Sequence, residues 1–273
     1  MSLEDCPLCH STRAEVLAEF PPRRVLRCRD CRLGYLSPRL SAEEMLEHYR
    51  TGDYYESSEG SGYSSYLAQE RSLRLTFRLL LGKLARKGHT GGRLLEIGCG
   101  YGFFLTEARG LFSSLTATDY SPGAVEQARK TGATVYLGGL ESVPSEATYD
   151  TAVMLQVLEH LYDPLDFLTR LRSRLRPGGC LAVAVPNLAS PLRLLLGRRW
   201  PSYKVPEHVA YYDQTTLKRA LQQAGFSNVQ GVFYPEFFPL GLLAEKFKLR
   251  LPGWLARQIL WVPTTSVACV ARA

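Results

Sequence analysis

Residues 93 to 105 read RLLEIGCGYGFFL, and this run restricts the fold more than any other in the chain. Apolar residues lead to an acid, Glu96, and glycines then alternate with other residues at Gly98, Gly100 and Gly102. The pattern is that of a strand entering a tight turn that opens a helix. Glycine tolerates left-handed backbone and lets a ligand approach the main chain closely. Similar units follow. Strands are expected at 93–97, 115–118, 133–137, 148–155, 180–186, 229–233 and 266–271. Helices are expected after Ser121–Pro122, from Asp163–Pro164 to the Pro-Gly-Gly at 177–179, and over 215–224 before Gly225. Alternation of this kind implies an open, mostly parallel α/β sheet with helices on both faces. Ligands in such sheets bind at the carboxyl ends of the strands, where the glycine turn falls.

A second feature sits at the front. Cys6 and Cys9, then Cys28 and Cys31, form two C-x-x-C pairs eighteen residues apart. This is zinc-ribbon spacing. Two intervening residues let one tight turn present both sulfurs, and four thiolates close a tetrahedral Zn²⁺ site with no open position. The expectation is a structural zinc ribbon over residues 1–40. Cys99, Cys180 and Cys269 stand singly in apolar or glycine-rich surroundings and read as buried small residues.

Between ribbon and sheet, residues 41–90 read as a helical linker and lid. Ser41 and Glu44 have capping-box spacing. A Gly-, Ser- and Tyr-rich loop follows, and then apolar residues at helical spacing: Leu73, Phe77, Leu80, Leu81 and Leu84. The main domain is placed at 91–273. The chain is 45% hydrophobic and 22% charged, ordinary for a soluble globular protein. It lacks an apolar run of about 20 residues and a secretory leader, so a cytoplasmic location without membrane contact is expected. The net charge of +7 permits an anionic partner. Two stretches, 71–93 and 168–204, hold basic residues and no acid; they read as solvated helix faces or as a rim for an anionic substrate.

The glycine turn is G-x-G-x-G, with Phe103 where a dinucleotide fingerprint would continue toward its third glycine. Asp119 ends the next strand, suited to gripping ribose hydroxyls. Glu96 beside the turn opposes a pyrophosphate and favours a cation. These residues, with TDYSPGAVEQAR, YDTAVMLQVLEHLYDPLDFL, LRPGGCLAVAVPN and PEHVAYYDQTTLKRALQQAGF in order, resemble the motifs of class I S-adenosylmethionine-dependent methyltransferases over about residues 90–235. The ribbon followed by GYLSPRLSAEEMLEHY resembles bacterial members with a zinc ribbon before that domain, many of which act on sugars and other small metabolites. The resemblance implies a Rossmann-like, doubly wound, mostly parallel seven-stranded sheet. It implies that the Gly98, Cys99, Gly100 and Gly102 turn approaches the methionyl part, which Glu96 serves. Asp119 would hold the ribose, Tyr120 flank the adenine, and Gln156 and Val157 line the cofactor near sulfur. Gly139 stands where the family often has an adenine-binding acid, so Leu140 backbone or Glu141 takes that contact. Tyr63 and Tyr66 would close over the cofactor.

Methyl transfer to oxygen or carbon needs a base, most often His. His160 and His208 lie at the carboxyl edge and are the candidates, with Glu207 to orient His208. His10, His48 and His89 read as surface residues. Trp200, Tyr203, Tyr211 and Tyr212 read as walls of an acceptor pocket, and Leu194 to Leu196 as helix core or a substrate-side wall. The expected function is methylation of a small-molecule acceptor, such as a sugar, nucleotide sugar or secondary metabolite. The alternatives are an RNA base methyltransferase whose ribbon recognises RNA, a non-catalytic ribbon protein retaining the cofactor fold, and, distantly, an NAD oxidoreductase. The oligomeric state is left open.

Overall fold

The computed structural model describes residues 5–41, 43–45, 63–246 and 251–273; for residues 63–65, 243, 245 and 246 the backbone alone is described. Strands β1 (Ala14–Phe20), β2 (Arg23–Cys28) and β3 (Gly34–Ser37) form an antiparallel meander behind the first cysteines. Ser41 Oγ accepts from the Glu44 amide at 3.1 Å and Glu44 returns the bond to the Ser41 amide at 2.7 Å, closing the expected capping box. The expected loop at 51–62 lies outside the described residues. Helices α1 (Tyr63–Ala68) and α2 (Glu70–Arg86) then lead into β4 (Gly91–Ile97).

From β4 the chain alternates as its pattern predicts: α3 (Phe103–Ala108), β5 (Phe112–Asp119), α4 (Pro122–Arg129), β6 (Thr134–Leu137), β7 (Tyr149–Leu155), α5 (Pro164–Ser173) and β8 (Leu175–Pro186). After α6 (Pro191–Leu196) come β9 (Ala210–Tyr211), α7 (Gln214–Gln223), β10 (Ser227–Val232), β11 (Glu236–Pro239), α8 (Leu240–Lys246), α9 (Gly253–Ala256), β12 (Ile259–Val262) and β13 (Ser266–Arg272). The main sheet has seven strands in the order β10-β13-β8-β7-β4-β5-β6, with β13 alone antiparallel to its neighbours. The central strand β4 therefore delivers the glycine turn to the middle of the carboxyl edge.

Several boundaries move. Helix α5 stops at Ser173, and Pro-Gly-Gly lies inside β8, where the register with β7 shifts between Tyr149 and Thr151. The breakers mark a bulge rather than a helix end. Helix α2 is no linker: Phe77, Leu80, Leu81 and Leu84 are buried with Leu94, Phe104 and Ala117 in the core on one face of the main sheet. The N-terminal strands are not a separate bead either. Strand β9 pairs with β3 as the fourth strand of their sheet, and Leu8, Leu26 and Tyr35 share one core with Leu95, Tyr149 and Leu217. Leu194 and Leu195 are exposed, so that stretch is not helix core.

Gly102 shows why the third glycine stands where it does. It caps α3 in the left-handed region, and a Cβ there would lie 3.0 Å from both Ala128 Cα and Thr131 Cγ2. Backbone of α4 cannot yield easily. Gly102→Ala is expected to cost about 1–3 kcal/mol from strain and overpacking together. A urea melt checks this: the midpoint should fall with the slope unchanged.

Candidate active site

The turn after β4 is pinned to β5, because the amides of Gly98 and Cys99 both donate to the Thr118 carbonyl, at 2.9 and 3.0 Å. Asp119 is built into the same turn. Its Oδ2 accepts from the Gly100 amide at 2.8 Å and its Oδ1 from the Ser121 amide at 2.9 Å. A Cβ on Gly98 would stand 2.5 Å from Val157 Cγ2, so the end of β7 closes directly over the first glycine. Tyr66 stacks on Phe103 with ring centroids 5.2 Å apart, and its hydroxyl would lie 2.9 Å from a Cβ at Gly100. Tyr66 thus stands over the turn; the Tyr63 side chain lies outside the described residues.

Glu96 is 3% exposed, and its Oε2 has no hydrogen-bond partner among the described residues. Burial, then the charge of Asp119, push this carboxyl well above its ordinary range. Asp119 is also raised, since burial outweighs the amides of Ser121, Gly100 and Tyr120. Two buried acids side by side, one of them orphaned, want a cation. S-adenosylmethionine carries an ammonium and a sulfonium and no phosphate. The donor set fits it and does not fit a pyrophosphate.

At the adenine end, Tyr120 donates to Glu141 Oε1 at 2.9 Å, and the same oxygen accepts from the Gly139 amide at 2.7 Å. A Cβ at Gly139 would lie 2.5 Å from the Tyr120 hydroxyl, which accounts for glycine at this position. Leu140 is buried. Gln156 has φ +60°, and its Nε2 donates to Ser266 Oγ at 3.0 Å and Glu236 Oε1 at 3.3 Å. Backbone held in that region concentrates at functional sites. Glu236 and Ser266 were not foreseen from sequence; neither stands in a motif.

The four cysteines come together. Cys6 and Cys31 Sγ are 3.4 Å apart, Cys9 and Cys28 Sγ 3.5 Å, and all four lie within 4.8 Å of one another. A tetrahedral Zn–S site needs sulfurs about 3.8 Å apart. The two knuckles share one geometry. The His10 amide donates to the Cys6 carbonyl and the Arg32 amide to the Cys28 carbonyl, and His10 and Arg32 both take left-handed φ. Burial raises the Cys28 thiol, but the amides of Cys31 and Asp30 outweigh it and bring the thiol to about 7.

A second group of ligand-type atoms lies past β7. Glu159, His160 and His208 offer atoms all within 4.8 Å of one another. The 3₁₀ turn Leu158–His160 supplies the first two, and the Val209 amide donates to the Glu159 carbonyl at 2.9 Å, drawing in the loop that bears His208. The two imidazoles meet edge-on with centroids 4.7 Å apart. His160 Nδ1 donates to the Glu207 carbonyl and His208 Nδ1 to the Ser202 carbonyl, each at 3.0 Å. His208 is therefore oriented by Ser202, and Glu207 enters through its backbone under His160. Burial pushes Glu159 up to about 8, His160 down to about 4 and His208 well below its ordinary value.

Other expectations change. His89 is buried rather than superficial, and His48 lies outside the described residues. Trp200, Tyr203, Tyr211 and Tyr212 are buried in the cores and do not wall an open pocket. Part of the basic charge in the two acid-free stretches is paired within the chain: Arg74 and Arg78 both hold Glu107 at 2.5 Å, Arg170 pairs with Asp166, and Arg176 with Asp150. Among the described residues no helix is long and apolar enough to cross a membrane.

Known proteins point the same way. The model of a methyltransferase domain family matches residues 67–231. The mitochondrial ubiquinone biosynthesis O-methyltransferase of Schizosaccharomyces pombe is 33% identical over 143 residues, 49% of this chain and 52% of that protein. The ubiquinone biosynthesis O-methyltransferase of Xanthomonas euvesicatoria is 28% identical over 160 residues, 53% of this chain and 67% of that protein. The chain thus spans about half the length of the first of these relatives. An S-adenosylmethionine-dependent methyltransferase from Thermotoga maritima has the same fold, with TM-score 0.53 and 18% identity over 84% of this chain and 97% of its own. Magnesium protoporphyrin IX methyltransferase from Synechocystis, with bound S-adenosylhomocysteine, superposes with TM-score 0.52 and 14% identity over 74% of this chain and 83% of its own. With the family model covering more than half of it, the chain belongs to the methyltransferase domain family.

Proposed function

We propose that this protein transfers a methyl group from S-adenosylmethionine to a hydroxyl oxygen of a small molecule. The observation that carries the reading is the orphaned, buried Glu96 beside Asp119 on a left-handed glycine turn. When bound, S-adenosylmethionine supplies an electrophilic methyl on a cationic sulfur. Glu96 faces its methionyl ammonium, Asp119 its ribose hydroxyls, and Tyr120, Leu140 backbone and Glu141 its adenine. Val157 and Gln156 border the sulfur. The chain's task is alignment of acceptor oxygen, methyl and sulfur, with water excluded, which is worth roughly 7–11 kcal/mol of barrier at best. The S–CH₃ bond breaks with its electron pair left on sulfur, and the O–CH₃ bond forms. The acceptor proton must leave, and His160 and His208, both kept neutral by burial, are the proton acceptors of this edge in this reading.

Oxygen is preferred as acceptor atom because the curated relatives above are O-methyltransferases by name. A sugar, a nucleotide sugar or a secondary metabolite meets the description. The four cysteines hold a structural Zn²⁺ in this reading, since four sulfurs leave no position for a substrate. Labelled S-adenosylmethionine incubated with the enzyme and a cell extract tests the function. Label should enter the small-molecule fraction. Label in RNA overturns the acceptor class, and calorimetry showing no S-adenosylmethionine binding overturns the reading itself.

A further inference from the structure

Helix α2 and the hairpin of β11 and β12 are far apart in the chain and face each other across an open cleft of about 410 Å³. Arg71, Leu75 and Arg78 fall at i, i+4 and i+7, so α2 turns one stripe to the cleft. Arg257, Gln258 and Ile259 line the other side, with Phe237 from β11. Leu75, Phe237 and Ile259 are half-buried, and the three arginines are exposed. The floor is therefore apolar and the rim basic, and among the described residues no acid lines the cleft.

Most of this charge is not compensated. Arg71 and Arg257 enter no ion pair among the described residues. Arg78 spends Nε and Nη2 on Glu107, which leaves Nη1 and fixes the plane of the fork. Arg257 is placed by the turn that follows it: the Gln258 amide donates to the Leu255 carbonyl at 3.0 Å, and the Gln258 carbonyl accepts from the Leu240 amide at 2.7 Å. Packing of β11 on α2 thus brings like charges to one cleft, where they repel. A multivalent anion replaces that repulsion with charge-assisted hydrogen bonds. Planar guanidiniums take phosphate oxygens in pairs, and three of them on two walls exceed what one carboxylate uses.

We propose that this cleft binds the diphosphate group of a small molecule, with the rest of that molecule lying on Phe237, and that the molecule is the methyl acceptor. The walls lead to the reaction. Arg71 follows Tyr66, whose hydroxyl stands over Gly100, by five residues. Phe237 follows Glu236, which accepts from Gln156 Nε2. Both walls therefore start beside the glycine turn and the residue that borders the sulfur, and a diphosphate ester in the cleft has its far end at that edge. The acceptor role rests on the methyltransferase reading; the anion site does not.

Calorimetry of the full chain with inorganic pyrophosphate at low salt tests the site. One pyrophosphate per chain is expected. Arg71→Gln and Arg257→Gln should each weaken it by roughly tenfold, the effect of one lost charge-assisted bond. Both are exposed and unpaired, so the melt and S-adenosylmethionine affinity should stay as in the parent. Arg24→Gln, an exposed arginine on β2, should change nothing. Absence of pyrophosphate binding, or equal weakening by all three variants, overturns the site, since the latter reports net charge alone. UDP and geranyl diphosphate distinguish a base from a hydrocarbon on Phe237: one of them should bind more tightly than pyrophosphate, and Phe237→Ala should remove the gain. If neither gains, the place given to the rest of the molecule is wrong. A short single-stranded RNA that binds more tightly than both overturns the small-molecule assignment. If Arg71→Gln and Arg257→Gln lose pyrophosphate yet label small molecules of a cell extract as the parent does, the acceptor role falls. Pyrophosphate binding without any S-adenosylmethionine heat defeats the methyltransferase reading and leaves the anion site standing.

Discussion

Asp119→Ala is expected to weaken S-adenosylmethionine binding by roughly 100-fold or more, at two hydrogen bonds to a charged acceptor of about 1.5–3 kcal/mol each. The residue acts twice. Its carboxylate would grip the ribose, and it already ties the Gly100 and Ser121 amides together, so it holds the turn in shape before the ligand arrives. Asp119→Asn separates the roles. It keeps one oxygen for an amide and loses the charge, and should cost roughly tenfold. Calorimetry on both variants reads the difference. A change of less than about threefold in the Ala variant would remove Asp119 from the cofactor site, because a single lost charged bond already exceeds that.

Glu96 gives the contrasting result. Its folded carboxyl is raised, so the folded state holds its proton more tightly than the unfolded chain. Stability from that group is complete below the ordinary Glu range and is lost as pH rises through the raised value. Glu96→Gln should remove this loss: the ligand-free variant should melt higher than the parent at neutral pH. It should also bind S-adenosylmethionine more weakly. Thermal melts across pH, with and without cofactor, check both signs. A variant that melts lower at neutral pH would mean that Glu96 is already paired in the free protein.

What the sequence disclosed was local. β4, the glycine turn, Asp119 and the Ser121 cap lie within one short span, and each has its own chemistry to announce it. The cysteine knuckles are equally compact. The Glu159–His160–His208 group combines a turn after β7 with the loop between α6 and β9, and its orienting groups are the carbonyls of Glu207 and Ser202. Any residue has a carbonyl, so no side-chain motif marks them. Strand β9 is too short to show a period, which hid the seam between ribbon and sheet. Pro-Gly-Gly misled for a similar reason: breakers announce an irregularity but not whether it interrupts a helix or bulges a strand. Trp200, Tyr203, Tyr211 and Tyr212 look like pocket walls in the sequence because aromatics suit both a pocket and a core, and only packing tells them apart.

On the proposal that the four cysteines hold a structural Zn²⁺, stripping that ion is expected to have the largest effect on stability. Without an ion, burial and the neighbouring sulfurs raise Cys9 to about 11, and Cys31 is raised still further by Cys6 and by burial. Cys9 and Cys31 then keep their protons where a zinc site needs thiolates. A structural zinc contributes folding energy on the order of 10 kcal/mol in small zinc-dependent modules. Here the damage cannot stay in the ribbon. Gly34 and Tyr35 pair with Tyr211 and Ala210, Arg219 donates to the Cys31 carbonyl at 2.9 Å, and Leu8, Leu26 and Leu33 share a core with the main sheet. Strand β9 begins two residues after His208, so loosening it also disturbs the carboxyl edge where the acceptor would sit. A strong chelator should therefore release one Zn²⁺ per chain, lower Tm by at least about 10 °C and abolish turnover. Cys28→Ser should reproduce this, and Cys99→Ser, at a lone buried thiol, should leave zinc content unchanged. Purified protein without zinc, or complete zinc loss with an unaltered melt, would show that the converging cysteines are not what ties the ribbon to the sheet.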